Sequence, residues 1–202
     1  MTDALIAPGS DEFNALFTGF QRSAYRLETL QSYGSPDEDA FYAAFLAGEP
    51  YPADDAGKQW WITNVVEPAT AAGRSMSRVH IVREPLTDYL RFELTWAYAP
   101  NFAAGDSIGI IPVGEGKPWP QPFPEGYDYW LIDDRLYEME YADDAIRTWL
   151  GVRPVAEMDW QRHHRAKVWR DIALDVAVPW RTYVASRPEL AELLPGLPQG
   201  GR

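Results

Sequence analysis

Apolar positions recur along the N-terminal stretch at Phe13, Leu16, Phe17, Phe20, Ala24 and Leu27, the spacing of a single helical face. Ser10 or Asp11 can cap such a helix. The pattern predicts that it runs to about Tyr33 and breaks at Gly34-Ser35-Pro36. Residues 1–9 read as a loose tail. Phe41 and Phe45, four apart, mark a shorter helix over 37–48. Gln59 to Val66 is aromatic and β-branched and predicts a strand. Arg78 to Arg83 alternates, with Arg78, His80 and Val82 on one face and Val79, Ile81 and Arg83 on the other. Together the two strands suggest an antiparallel hairpin with a long exposed connection over 67–75.

The stretch from Met76 to Val113 organises the rest. Pro85 suits the first turn of a helix, and Thr87 and Asp88 supply capping and dipole-favoured side chains. At about 100° per residue, Leu86, Tyr89, Leu90, Leu94 and Ala97 share one arc of this helix. Glu93 falls inside that arc, whereas Asp88 and Arg91 fall outside it. The helix is expected to end before Pro100. After the Gly105-Asp106 turn, Ser107 to Val113 predicts another strand. The segment GEGKPWPQPFPEGYD is too long and too broken for a tight turn and reads as an aromatic flap over a cleft. Tyr129 to Ile132 and Leu136 to Tyr141 predict a hairpin across Asp133-Asp134-Arg135. Ile146 to Val152 adds a strand or a short helix. From Ala156 the chain is helical, interrupted at Pro179 and Pro188, and residues 195–202 fray. The whole predicts one α+β domain over 1–202, with N- and C-terminal helices. Its mostly antiparallel sheet has about five strands, with helices packed on one face.

Composition narrows the functional classes. The 202 residues carry a net charge of −12, which disfavours direct contact with a phosphate backbone. The one basic run, QRHHRAKVWR, reads as a solvated helix face. With no cysteine, disulfides, thiolate metal sites and cysteine nucleophiles are excluded. No apolar run approaches the ~18 residues of a membrane span, and no signal-peptide pattern opens the chain. A cytoplasmic protein with no membrane partner is the expectation. Nine Trp and eleven Tyr can fill a core or line a pocket for a planar ligand.

Candidate chemistry centres on Glu93. A carboxylate facing a core needs a partner, a proton or water in a cleft. Arg78 and Arg83, on the preceding strand, are the candidate partners. Glu93 is then either half of a structural ion pair or a general acid/base whose pKa burial raises, with Arg78 and Asp88 as further candidate catalytic groups. Arg26, Arg83 and Arg91 are candidate forks for an anionic ligand, and Trp60, Tyr89, Trp96 and Trp130 are candidate aromatic walls. His163-His164 are about 100° apart on a helix and do not face one metal together. Asp133-Asp134 and Asp143-Asp144 suit turn caps better than cations. No metal or cofactor is expected.

Several segments together resemble a known family. They are Tyr25-Arg26-Leu27-Glu28 with Tyr33, then Trp60, then RVHIVREPLTDYLRFEL, then Asn101 with Ala104-Gly105-Asp106, then Tyr129-Trp130-Leu131-Ile132-Asp133. They resemble an uncharacterised actinobacterial domain family often encoded near helix-turn-helix regulators, over roughly residues 12–180. The resemblance transfers no chemistry. It implies a regulatory or specialised-metabolism setting, with a regulator protein or a second copy of the chain as partner. Two functions follow as expectations. One is a module binding a small molecule or a partner through an aromatic cleft. The other is a cofactor-independent tailoring enzyme (lyase, cyclase or hydrolase) using Glu93. From the charge alone, micromolar protein should give no mobility shift with duplex DNA at about 0.15 M salt. A shift would direct attention to the Arg162–Arg170 run.

Overall fold

The computed structural model describes residues 4–34, 38–52 and 56–195. The break expected at Ser35-Pro36, the start of the second helix at Asp37 and the tail beyond Pro195 lie outside them. The strands are β1 (Ser23–Glu28), β2 (Ser75–Arg83), β3 (Ser107–Val113), β4 (Tyr129–Ile132), β5 (Arg135–Tyr141), β6 (Trp149–Pro154) and β7 (Val178–Pro179). They form one seven-stranded sheet in the order β6-β5-β4-β1-β2-β3-β7. The central β1, β2 and β3 are parallel, while β4, β5, β6 and β7 join antiparallel at the flanks. The fold is α+β with a mixed sheet, which overturns the expected mostly antiparallel sheet of about five strands.

The error has a local cause. Phe20, Ala24 and Leu27 fit a helical stripe, but the N-terminal helix α1 is only Asp11–Gly19, capped by Ser10. In β1, Ala24, Tyr25, Leu27 and Glu28 are all buried, so burial there has no helical period. A strand hidden on both faces reads as continuous burial, as parallel strands do. The expected strand at Gln59–Val66 is instead part of a helix. Helix α2 is Asp39–Leu46, and α3 runs over 56–71 with a π-helical turn at Ile62–Val66. Val65, Val66 and Ala69 face the core from α3, so its β-branched residues pack as helix side chains. β2 therefore pairs with β1 and β3, not with a hairpin partner.

The central helix α4 spans 88–104. Thr87 caps it, its side chain accepting from Leu90 N. It passes through Pro100, where it was expected to stop, and contains a π-helical turn at Glu93–Ala97. Pro100 has no N–H to give to the preceding turn, and a wider turn just before it accommodates that loss. Gly105, at φ 112°, ends the helix in the left-handed region and returns its N–H to Asn101 and Phe102 carbonyls. The predicted hairpin between β4 and β5 forms, with Asp133 and Asp134 at φ 48° and 71°. Asp133 also accepts the N–H groups of Gln21, Arg22 and Ser23 at 2.7, 2.7 and 3.1 Å, which ties the start of β1 to that turn.

Helices cover both faces of the sheet. On one face, α1, α3 and α4 pack over Ala24, Met76, Val82, Ile108 and Trp130, and α6 (Trp180–Ala185) and α7 (Pro188–Ala191), the final short helices, add Trp180 and Leu190. On the other, α5 (Trp160–Val176) lays Ala166 and Ala173 on Tyr25, Leu27, Val79 and Ile81. Ile6 exchanges hydrogen bonds with Val152 at 2.8 and 3.0 Å, tying residues just before α1 to β6. Among the described residues, no helix is long and apolar enough to cross a membrane.

The basic run lies on α5, where Arg162 pairs with Glu138 and Asp159, and Arg170 with Asp134 and Asp171. The Pro-rich loop 114–126 also belongs to this second face. Phe123 is buried there, Trp119 donates to the Pro124 carbonyl at 2.9 Å, and the Arg83 guanidinium lies over the Trp119 ring. It closes the core rather than a cleft. Phe123→Ala should therefore cost about 3 kcal/mol. That is a fall in melting temperature on the order of 8 °C for a chain of this size, read by thermal denaturation. An unchanged melt would mean the loop contributes nothing to that core.

Candidate functional site

The site starts as two rows across the parallel strands. Arg26 of β1 is in register with Arg78 of β2, and Glu28 with His80. Arg26 also stands opposite Trp130 of β4. Because side chains two apart share a face, four polar groups converge on the surface that α3 and α4 cover. Glu28 is wholly buried and is compensated on both oxygens. Oε1 lies 3.1 Å from Arg26 Nη1, and Oε2 lies 3.7 Å from Arg78 Nη1 and accepts from the Tyr98 hydroxyl at 2.8 Å. Burial alone would raise this carboxyl. Arg26, Arg78, His80 and the Tyr98 hydrogen bond outweigh it and hold Glu28 below the ordinary glutamate value. Arg78 Nε donates to Asp106 Oδ2 at 2.9 Å, a contact delivered by the Gly105 turn. Burial raises the Asp106 carboxyl above its ordinary value, against the pull of Arg78.

Above these rows opens a cavity of about 490 Å³, walled by α1, α3, α4 and the sheet. That volume suits a small molecule. The Arg26 guanidinium lies near two rings, 5.5 Å from the Tyr33 centroid and 5.7 Å from that of Trp130. Its Nε is buried without a hydrogen-bond partner. Arg78 lies 5.1 Å over the Tyr98 ring. Tyr33 and Tyr141 both donate to Asp128 Oδ2, at 2.7 and 2.9 Å, which sets their rings at the cavity wall. Trp60 and Trp61, ahead of the π-turn in α3, close the opposite side.

Glu93 opens the π-turn of α4 and lines the cavity at 5% exposure. Its Oε2 is 3.3 Å from His80 Nδ1. The other imidazole nitrogen, Nε2, is 2.8 Å from the Leu30 carbonyl, which can only accept, so Nε2 carries a proton. In neutral His80, Nδ1 is then a lone pair. The Tyr98 hydroxyl, 3.0 Å from Nδ1, gives its proton to the Glu28 carboxylate, the shorter and charge-assisted bond. An ionised Glu93 facing that lone pair would be a buried acceptor without a donor. One proton shared between Glu93 Oε2 and His80 Nδ1 resolves the contact. The electrostatics agree: burial, reinforced by the Glu28 charge, raises the Glu93 carboxyl well above the ordinary glutamate value, and burial lowers the His80 imidazole.

The structure brings Arg26, Trp60, Arg78, Tyr89, Glu93 and Trp130 to this cavity. It leaves four candidates elsewhere. Asp88 and Arg91 pair with each other at 3.8 Å on the exposed side of α4. Arg83 pairs with Glu125 at 2.7 Å on the far side of the sheet. Trp96 is buried against Phe41, Phe45 and Tyr51. The partner of Glu93 is His80, neither Arg78 nor Arg83. The Arg78-x-His80 alternation carried that signal, since His80 shares a strand face with Arg78. Tyr33, Tyr98, Asp106, Asp128 and Tyr141 had no local signature. Glu28, His80 and Glu93 also place one donor atom each within 4.8 Å of one another. A cation there would compete with Arg26 and Arg78 for Glu28, so the local charge disfavours a metal.

The chain matches the family described as a domain of unknown function, DUF6879, over residues 11–185, and belongs to it. No curated protein and no solved structure matches the chain.

A buried Glu93 that keeps its proton links stability to pH. A carboxyl whose folded pKa is raised stabilises fully below its unfolded value, ordinarily 4.5, and that stability is lost as pH rises through the folded value. The amide introduced by Glu93→Gln keeps a donor for His80 Nδ1 and cannot ionise. The melting temperature of Glu93→Gln relative to wild type should therefore rise as pH increases above about 4.5, as wild type loses that contribution. A difference that stays flat, or moves against the variant, would show that Glu93 is held as a paired carboxylate.

Proposed function

We propose that this DUF6879 protein holds a small planar molecule bearing an anionic oxygen, with Arg26 as the principal anchor. The observation that carries this reading is the Arg26 guanidinium at the wall of an aromatic cavity, over the Tyr33 and Trp130 rings, with its Nε unpartnered. A planar guanidinium held by Glu28 beside two rings is a pre-ordered fork for a carboxylate or enolate, and the Trp and Tyr walls suit a flat apolar body. Arg78 stands beside it as a second cation, and a Glu93 that keeps its proton on the His80 contact adds no repelling charge. A cofactor-independent enzyme is the second reading, favoured by Glu93 standing at the cavity wall in contact with His80. As a binding module the chain would pass occupancy of the cavity to a regulator protein or to a second copy of itself.

Isothermal titration with benzoylformate, a flat aromatic carboxylate, tests the first reading against benzylamine, a cationic ring of similar size. Benzoylformate should bind wild type with a Kd below about 1 mM. Arg26→Gln should weaken it roughly tenfold, about 1.4 kcal/mol. Binding of benzylamine without benzoylformate would reverse the assigned charge of the ligand.

A further inference from the structure

The contact between Glu93 and His80 is more than a way to bury a carboxyl. Glu93 lines the cavity, whereas His80 lies beneath it, fully buried. The Leu30 carbonyl fixes the Nε2 proton of His80, which leaves Nδ1 as a lone pair 3.0 Å from the Tyr98 hydroxyl and 3.3 Å from Glu93 Oε2. Behind His80, the Tyr98 hydroxyl bridges Nδ1 and the Glu28 carboxylate at 3.0 and 2.8 Å. The chain of contacts Glu93, His80, Tyr98, Glu28 therefore runs from the cavity wall to a fixed buried negative charge. A proton on Nδ1 of His80 would donate toward Glu93 and Tyr98 while Nε2 keeps its bond to Leu30. The imidazole is satisfied in either protonation state. Two guanidinium groups, Arg26 and Arg78, flank the same stretch of wall, and both charges reach Glu93.

We propose that Glu93 is a catalytic base which removes a proton from a carbon next to a carbonyl in a planar, anionic substrate bound in this cavity. His80 receives the proton that Glu93 holds at rest, and Arg26 with Arg78 faces the enolate oxygen that forms. The inference rests on the cavity binding such a molecule. In the first step the shared proton moves from Glu93 Oε2 to His80 Nδ1, leaving a carboxylate and an imidazolium, against the resting preference that burial sets for the neutral pair. Arg26 and Arg78 favour the carboxylate, and Glu28 and the Leu30 carbonyl favour the imidazolium. The carboxylate then takes the substrate C–H proton. The C–H electron pair becomes a C=C bond, and the carbonyl π electrons pass to oxygen as an enolate, which the guanidinium groups stabilise. Glu93 returns a proton to the oxygen, giving the enol, or to the carbon, regenerating the ketone. The imidazolium then hands its proton back to Glu93. No oxidant, reductant or co-reactant enters the balance. The substrate class is a flat aromatic or conjugated 2-oxo acid or β-dicarbonyl compound with an acidic C–H. The reaction class is tautomerisation or isomerisation. His80 acts through Glu93 and is a positioning residue.

Phenylpyruvate is a suitable probe, because it carries a ring, a carboxylate and an activated methylene. In D2O, loss of its methylene proton signal by NMR reports proton abstraction directly, with no product needed. Wild type should accelerate exchange roughly 100-fold over Glu93→Gln at equal protein concentration. Benzoylformate, which has no carbon proton beside its carbonyl, should bind both proteins with Kd values within about a factor of two. That second measurement shows that the variant is folded and its cavity intact. Equal exchange by wild type and variant, with benzoylformate bound by both, overturns the catalytic proposal and leaves the binding reading standing. If benzoylformate binds neither protein, the binding reading fails and the catalytic proposal fails with it.

Discussion

Glu28 is a carboxylate with no access to water, sitting in the middle of a parallel sheet. Burying it without compensation would cost several kcal/mol. Two guanidinium groups and a tyrosine hydroxyl supply that compensation. The consequences spread through the structure. Arg26 must stand next to Glu28 on β1, and Arg78 must come from β2 in register with Arg26. Tyr98 must come from α4, and Asp106, which the Gly105 turn delivers, takes the remaining reach of Arg78. The order β1, β2, α4, β3 is thus bound together by one charge network as well as by its apolar packing. Removing one partner of a buried pair leaves an uncompensated charge, at a cost of about 3–5 kcal/mol. The network is a constraint on the fold before it is part of any site.

The cavity lies against that network. Tyr98 and Glu93 of α4 meet the polar rows of β1 and β2 directly, and aromatic rings line the space beside them. Both helices contain π-turns in this region, at Ile62–Val66 and Glu93–Ala97. Such turns are frequent at functional sites, since the extra residue re-aims the side chains around it. In α4 the turn begins at Glu93, the residue whose proton completes the hydrogen bonding of His80. Charge compensation below, rings around and a protonated carboxyl at the wall follow from one another. The outer candidates Asp88, Arg83 and Arg91 take no part and pair with neighbours on the surface.

The elements legible in the chain alone are those whose signal is local. The hairpin at Asp133-Asp134, the alternation of β2, the capping by Thr87 and the strand at 107–113 each depend on residues close in sequence. Two elements depart from their local signals, because those signals conflict with burial. Phe20, Ala24 and Leu27 fit a helical stripe, yet β1 lies between two other strands and is buried on both sides. Trp60 to Val66 has the composition of a strand, yet it forms a helix because its apolar residues meet α1 and the sheet on one side only. Missing β1 removed the parallel partner of β2, and the mixed topology could not be deduced without it.

Amino-acid order alone determined that Glu93 falls on the buried arc of a helix, and therefore that it requires a partner, a proton or a cleft. It also determined that Arg78 and His80 share a strand face, and that charge and the lack of cysteine exclude whole classes of chemistry. Tertiary structure decided the rest, because the deciding contacts join residues far apart in the chain. Glu28 to Tyr98, His80 to Leu30 and Tyr33 to Asp128 link separate elements. Only the parallel register of β1 on β2 sets Arg26 beside Arg78 and Glu28 beside His80. Only the packing of α4 over that register brings Glu93 to the imidazole rather than to an arginine. A local pattern can state that a buried charge needs an answer. Which distant group supplies it depends on the pairing of strands, which is set by the burial of the whole sheet.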